Sequence, residues 1–138
     1  MLPLAAGTTV SFRAPAECAI LVVEDDTAIR RLVRMVLERV GYKVELAVDG
    51  VEAVLKMGLV DFDVIILDLM MPNLDGFVFI NTLEQNDPGR LRRIIVTSAA
   101  SPAVVNDRLT GRPFHFLMKP FDIHELARCV RECIDAQQ

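Results

Sequence analysis

Apolar and polar positions along this chain alternate between short, wholly apolar runs and longer amphipathic segments. Ala19–Val23 (AILVV) is an unbroken apolar run that ends abruptly in Glu24, Asp25 and Asp26, the pattern of a strand buried on both faces. Beyond it, Ile29, Leu32, Val33, Val36, Leu37 and Val40 recur at i, i+3, i+4, i+7, i+8 and i+11, with Arg30, Arg31, Arg34, Glu38 and Arg39 taking the other face. This predicts an amphipathic helix stopped by Gly41. The alternation then repeats, with a strand at Lys43–Ala47, a helix at 50–58, an apolar strand at 64–67 running into Asp68, and a helix at 75–84. A strand at 93–96 follows, then a short helix at 102–109 with Ser101 as its cap and Pro102 in its first position, and a last strand at 114–118. Leu126, Cys129, Val130, Cys133 and Ile134 give a closing helix its apolar stripe. Residues 1–18 show neither period and contain two prolines and a glycine. They read as a flexible N-terminal arm ahead of a domain at 19–138.

Five strands alternating with five helices imply a parallel sheet covered on both faces, a three-layer α/β/α sandwich. In such sheets ligands bind outside the carboxyl ends of the strands, where the strand order reverses. Composition narrows the rest. At 138 residues the chain is one domain's worth, and 52% hydrophobic residues with a mean hydropathy of +0.36 exclude a disordered tail. The longest uncharged stretch, 94–106, is 13 residues and carries Thr97, Ser98, Ser101 and Pro102, whereas a membrane span needs roughly 20 mostly apolar residues. With 15 basic against 19 acidic side chains, direct nucleic-acid binding is not expected. Cys18, Cys129 and Cys133 form no CxxC pair, and the apolar start at 1–6 is too short for a signal peptide. Packed thiols and a cytoplasmic location are therefore expected.

The chemistry sits where the strands end. Glu24, Asp25 and Asp26 follow the first strand, Asp68 the third, Thr97 and Ser98 the fourth, and Lys119 the fifth. Carboxylates crowded at one edge repel each other unless they share a cation. With no histidine or cysteine nearby, oxygen ligands favour a hard divalent ion, Mg²⁺ above others. A carboxylate beside such an ion can attack phosphorus, and a lysine and a hydroxyl can hold the oxygens of the transferring group. Asp26 and Asp75 read as helix-start residues rather than ligands. His115 and His124 lack a partner at metal-ligand spacing and are expected near the surface.

The blocks VVEDD (22–26), ILDLMMPNLDG (66–76), IIVTSA (94–99) and FLMKPF (116–121) resemble the signature blocks of response-regulator receiver domains of two-component signalling. The resemblance covers roughly 19–135, and the intervals fit: 43 residues from Asp25 to Asp68, 29 more to Thr97, 22 more to Lys119. It implies a flavodoxin-like fold with strand order 2-1-3-4-5. It also implies that Asp68 is the phosphoacceptor, receiving a phosphoryl group from a sensor histidine kinase or a histidine phosphotransfer protein. Mg²⁺ would be held by Asp25, Asp68 and the backbone carbonyl of Met70, with Glu24 acting through a water. Thr97 would be the switch hydroxyl, Lys119 would pair with Asp68 and then with phosphate, Phe116 would be the aromatic switch, and the bond before Pro120 would be cis. The first helix, with Arg30, Arg31 and Arg34, would contribute to kinase docking.

The expected protein is a single-domain regulator, not a turnover enzyme but a phosphoacceptor assisting its own phosphorylation and dephosphorylation. Its output would pass to a separate protein target, with a phosphorylation-dependent dimer among the outcomes and no direct role for nucleic acid or membrane. Three departures from the family pattern stand out. Glu24 replaces the commoner aspartate, Met70 is apolar where it borders the phosphoryl site, and LTGRPFHF (109–116) replaces a small-residue turn. Pro113 in that segment shortens the preceding helix and delays the last strand. A phosphorylation-independent pseudo-receiver is the alternative. A haloacid-dehalogenase-like phosphatase fits less well, because it needs a second aspartate where Met70 stands.

Overall fold

The computed structural model describes residues 13–71, 74–109 and 113–137. Strands β1 (Ala19–Val23), β2 (Lys43–Ala47), β3 (Val64–Asp68), β4 (Ile94–Ser98) and β5 (His115–Met118) form one sheet, every pairing parallel. In these labels its order is β2-β1-β3-β4-β5, the flavodoxin-like order predicted from the sequence. Helices α1 (Thr27–Val40), α2 (Gly50–Leu59), α3 (Gly76–Asn86), α4 (Pro102–Arg108) and α5 (Ile123–Asp135) connect the strands and close the chain. Met70–Met71 and Leu74–Asp75 add a two-residue antiparallel ladder off the sheet, too short to leave a period in the sequence.

Period-two alternation divides the core. Ile20, Val22, Val64, Ile66, Ile95 and Leu117 point to one side, where Val33 and Leu37 of α1 meet Leu126, Cys129, Val130, Cys133 and Ile134 of α5. Leu21, Val23, Ile65, Leu67, Ile94 and Val96 point to the other, against α2, α3 and α4. Each fully buried Val, Leu or Ile contributes roughly 1.5–3 kcal/mol, so the three central strands carry much of the stability. Helix ends follow the chemistry of their residues. Asp26, Asp49, Asp75 and Asp122 accept backbone N–H groups at the starts of α1, α2, α3 and α5. At the far end of α1, Gly41 takes φ +114° and donates to the Glu38 and Leu37 carbonyls.

Some expectations need correction. The apolar arc of α1 is wider than its contact with the sheet: Val33 and Leu37 are buried, but Leu32 and Val40 are exposed. Arg30 does not lie free on the opposite face, as described below. Helix α4 ends at Arg108, with Leu109 already extended, and β5 begins at His115; residues 110–112 of the departing segment lie outside the described residues.

Of the expected arm at 1–18, residues 1–12 lie outside the described residues, while 13–18 pack against the amino end of the sheet. Pro15–Glu17 forms one 3₁₀ turn and Cys18 is buried. Arg13 pairs with Asp63, whose second oxygen accepts the Ala19 N–H at 2.8 Å. Arg131 donates to the Arg13 carbonyl (3.1 Å) and Gln137 to the Asp63 carbonyl (2.8 Å). Asp63→Ala removes both acceptors at once and should lower unfolding stability by about 1–3 kcal/mol. A urea titration followed by circular dichroism would show it as a lower midpoint with an unchanged slope.

Candidate functional site

Strand order reverses between β1 and β3, since the chain passes from β1 to one neighbour in β2 and returns to the other in β3. The carboxyl ends of these strands therefore open a crevice, and Glu24, Asp25 and Asp68 meet in it. One carboxylate oxygen from each lies within 4.8 Å of the others. Glu24 and Asp68 are buried and Asp25 is exposed. Three carboxylates so close would repel strongly were they not partly neutralised. Lys119, just past β5, reaches across and donates from Nζ to Glu24 Oε1 (2.8 Å) and Asp68 Oδ2 (3.0 Å). Its position is fixed by the Lys119 N–H, which donates to the Ser98 carbonyl at the end of β4 (2.8 Å), and the Lys119–Pro120 bond is cis.

The remaining oxygens are also held. Asp68 Oδ1 accepts the Met70 N–H (2.9 Å) and Glu24 Oε2 accepts the Asp26 N–H (3.2 Å). Burial pushes the Glu24 carboxyl up from its ordinary range, against the hydrogen bonds from Lys119 and Asp26. Burial works against the Lys119 charge, but its hydrogen bonds to Glu24 and Asp68 outweigh that cost, so its pKa is raised and the ammonium persists.

Thr97 lies directly beside Asp68 in the β3–β4 register and is buried. Its carbonyl accepts the Leu69 N–H (3.1 Å), tying β4 to the segment that follows Asp68. Phe116 pairs with Val96, one step back along the sheet, and is half-buried against the side of the core formed by α2, α3 and α4. Met70 touches Asp68 through its amide, and its side chain is 62% exposed at the rim. His115 and His124 are exposed.

Two contacts have no signature in the sequence. Arg30, assigned by its spacing to the solvated face of α1, turns back so that Nη1 donates to the carbonyls of Glu24 (2.9 Å) and Asp25 (3.1 Å). It latches the acidic loop from behind. The link from Lys119 to Glu24 is the other. It joins residues 95 positions apart, and the extra methylene of glutamate over aspartate is the sole hint that the side chain extends that far.

The donor set suits a hard divalent cation. Three carboxylates and one ammonium leave two negative charges, all donors are oxygen, and neither histidine nor cysteine is among them. Beside the crevice, Ile29, Leu32, Val33, Pro120, Phe121 and Ile123 line an apolar groove of about 290 Å³ that reaches Lys119. Leu32, exposed on α1, belongs to this groove.

Residues 20–131 match the family described as the response regulator receiver domain. The chain is similar to RpaA of Synechocystis, named a DNA-binding dual master transcriptional regulator, with 36% identity over 115 residues covering 81% of this chain and 47% of that protein. It is also similar to the sensor kinase CckA of Brucella abortus, at 32% identity over 86% of this chain and 13% of the kinase. The chain spans about half the length of the curated transcriptional regulators it matches. Among solved structures, the signal receiver domain of a response regulator from Bermanella marisrubri gives a TM-score of 0.75 at 32% identity, covering 84% of this chain and 97% of that one. TrrA of Thermotoga maritima, solved in complex with Mg²⁺ and BeF, gives 0.69 at 27%, covering 84% and 98%. No helix among the described residues is long and apolar enough to cross a membrane. With its fold, its strand-end cluster and its sequence blocks in agreement, this chain belongs to the response regulator receiver domains of two-component signalling.

Proposed function

We propose that this receiver accepts one phosphoryl group on Asp68 from the histidine of a sensor kinase or phosphotransfer protein, and signals by altering the surface it offers to another protein. The observation that carries this reading is the setting of Asp68. It is buried at the strand-order reversal between Lys119 Nζ and the Met70 N–H, with two further carboxylates within 4.8 Å. In the transfer the N–P bond of phosphohistidine breaks as an Asp68 oxygen bonds to phosphorus, and the departing imidazole takes up a proton. Asp68 is consumed once per transfer, so the protein is a stoichiometric acceptor rather than a turnover enzyme.

Glu24, Asp25, Asp68 and the Met70 carbonyl are the groups proposed to hold Mg²⁺. The ion, when bound, would supply positive charge to the oxygens of the incoming group. Lys119 exchanges its bond to Asp68 for a phosphoryl oxygen, and the Thr97 hydroxyl, one strand over, is the group proposed to follow. Phe116 is the aromatic group proposed to move with it. Arg30 keeps the acidic loop in place from behind. The apolar groove between α1 and Phe121, with Arg31 and Arg34 on the adjoining turns of α1, fits a helix of the phosphodonor that carries apolar and acidic residues. A cytoplasmic setting follows from such a donor.

Incubation with acetyl phosphate and Mg²⁺ should add one phosphoryl mass, with no gain in Asp68→Asn or in the presence of EDTA. Intact-protein mass spectrometry reads the result. No gain in the wild type, together with no spectral response to beryllofluoride, would overturn the reading in favour of a phosphorylation-independent interaction module.

A further inference from the structure

Helix α2 is apolar on two opposite faces. Gly50 and Ala53 are buried and Met57 packs on the core. On the outer side, Val51, Val54, Leu55 and Leu59 recur at i, i+3, i+4 and i+8, exposed by 72%, 57%, 64% and 84%. Gly58 completes the i+7 position, and a side chain there would meet nothing within 4 Å. The polar residues of the helix do not interrupt this stripe. Glu52 and Lys56 pair with each other at 3.5 Å, and Lys56 also donates to the Leu46 carbonyl. A helix with two opposite apolar faces ordinarily has both of them covered.

The stripe continues into a groove. Val54 forms one wall, and Val78, Phe79, Thr82, Leu83 and Asn86 of α3 form the other, with Asp75 at its end, around about 470 Å³; Asp75 pairs with Arg108 at 3.9 Å. With Val60 and Val78, the exposed side chains present on the order of 600 Å² of apolar surface, at the upper end for a monomer and near the roughly 800 Å² per partner of a standard interface. No unpaired charge lies along the stripe, so nothing in it selects a partner of opposite sign. The same neutrality lets it face its own copy, because Val51, Val54, Leu55, Gly58 and Leu59 bring no charge against their like across a twofold axis. Ridge and groove also lie side by side, so Leu55 and Leu59 of each copy can enter the other's groove.

We infer that the outer face of α2, with the α2–α3 groove, is the contact through which two copies of this chain form a twofold dimer without phosphorylation. None of the stripe or groove residues is among those proposed to hold Mg²⁺ or to take part in phosphoryl transfer, so the inference does not rest on that chemistry.

Sedimentation velocity at protomer concentrations of roughly 1–100 μM, where an interface of this size is expected to associate, tests it on the unphosphorylated protein. The expected result is a concentration-dependent dimer. Leu55→Glu/Leu59→Glu should weaken it at least 100-fold, because glutamate matches leucine in helix propensity but places like charges at the axis. Met35→Glu, which replaces a similarly exposed apolar side chain on α1, should leave it intact. Circular dichroism would establish that each variant is folded. A wild-type monomer throughout the range overturns the inference and assigns the stripe to another protein or to residues 1–12. A dimer that survives the double substitution overturns it in favour of a different surface.

Discussion

Raising the pH from 8 to 10 should remove roughly 3–4 kcal/mol of unfolding stability through two thiols alone. Cys129 and Cys133 lie on the buried face of α5, and burial pushes both thiols up to about 12. Their low exposure, 3% and 0%, leaves little solvation for a thiolate. In the unfolded chain a thiol sheds its proton near 8.5. Between these values the unfolded state binds fewer protons than the folded one, so stability falls as pH rises. Each thiol contributes about 1.4 kcal/mol per pH unit once the pH is well above 8.5. The loss begins near pH 8.5 and ends near 12. Urea titrations at pH 8, 9 and 10 measure it. Cys129→Ala/Cys133→Ala should be less stable at pH 8, because two small cavities are left, yet its stability should vary far less with pH. Equal pH slopes in the two proteins would contradict this account.

Gly76→Ala should damage both the fold and the site. Gly76 opens α3 with an ordinary backbone conformation, so the dihedral angles admit alanine. Space does not. A Cβ would stand 2.7 Å from Leu69 Cδ2, 2.8 Å from Leu69 Cα and 3.0 Å from the Leu69 carbonyl oxygen. The side-chain atom can swing away, but the two backbone atoms cannot, because the Leu69 N–H is held by Thr97 at 3.1 Å. Overpacking of this kind costs about 1–3 kcal/mol. Any relief must shift Leu69 and Met70, and the Met70 N–H is the group that holds Asp68 Oδ1. Phosphoryl uptake from acetyl phosphate should therefore slow on the order of 10- to 100-fold, beyond what partial unfolding explains. The urea midpoint and the initial rate of uptake, measured below the transition, separate the two effects. An unchanged rate in a folded variant would show that Leu69 yields without moving Met70.

How much of this was legible in the sequence depends on the range over which each feature is encoded. Ala19–Val23 was plain because a strand buried on both faces leaves a contiguous apolar run, and the edge strand Lys43–Ala47 (KVELA) because its apolar and charged residues alternate; both have the predicted limits. Asp26 and Asp75 were readable as helix starts because capping is local. Glu24, Asp25, Asp68, Thr97 and Lys119 could be placed together because a parallel sheet brings all carboxyl ends to one edge. Side-chain reach was not readable. Arg30 has the spacing of a solvated residue and bends back to two carbonyls, a choice made by the loop's shape. Lys119 reaches Glu24 as well as Asp68 because both oxygens lie within its span in space. Helical periodicity likewise overstated the buried arc of α1. It marks Leu32 and Val40 as apolar without showing that both stay exposed, Leu32 on the rim of the groove beside Phe121.

The tie between Arg13 and Asp63, with Arg131 and Gln137 closing over it, brings the first and last described turns of the chain to the amino edge of the sheet. A five-residue strand puts about 17 Å between that edge and the acidic crevice. A fluorophore, affinity handle or surface tether joined at Arg13 or Gln137 therefore departs on the side opposite the crevice. Immobilised through one of these two positions, the protein keeps Asp68 and the groove beside α1 facing solution, so donor proteins can be screened by flowing them over an oriented layer.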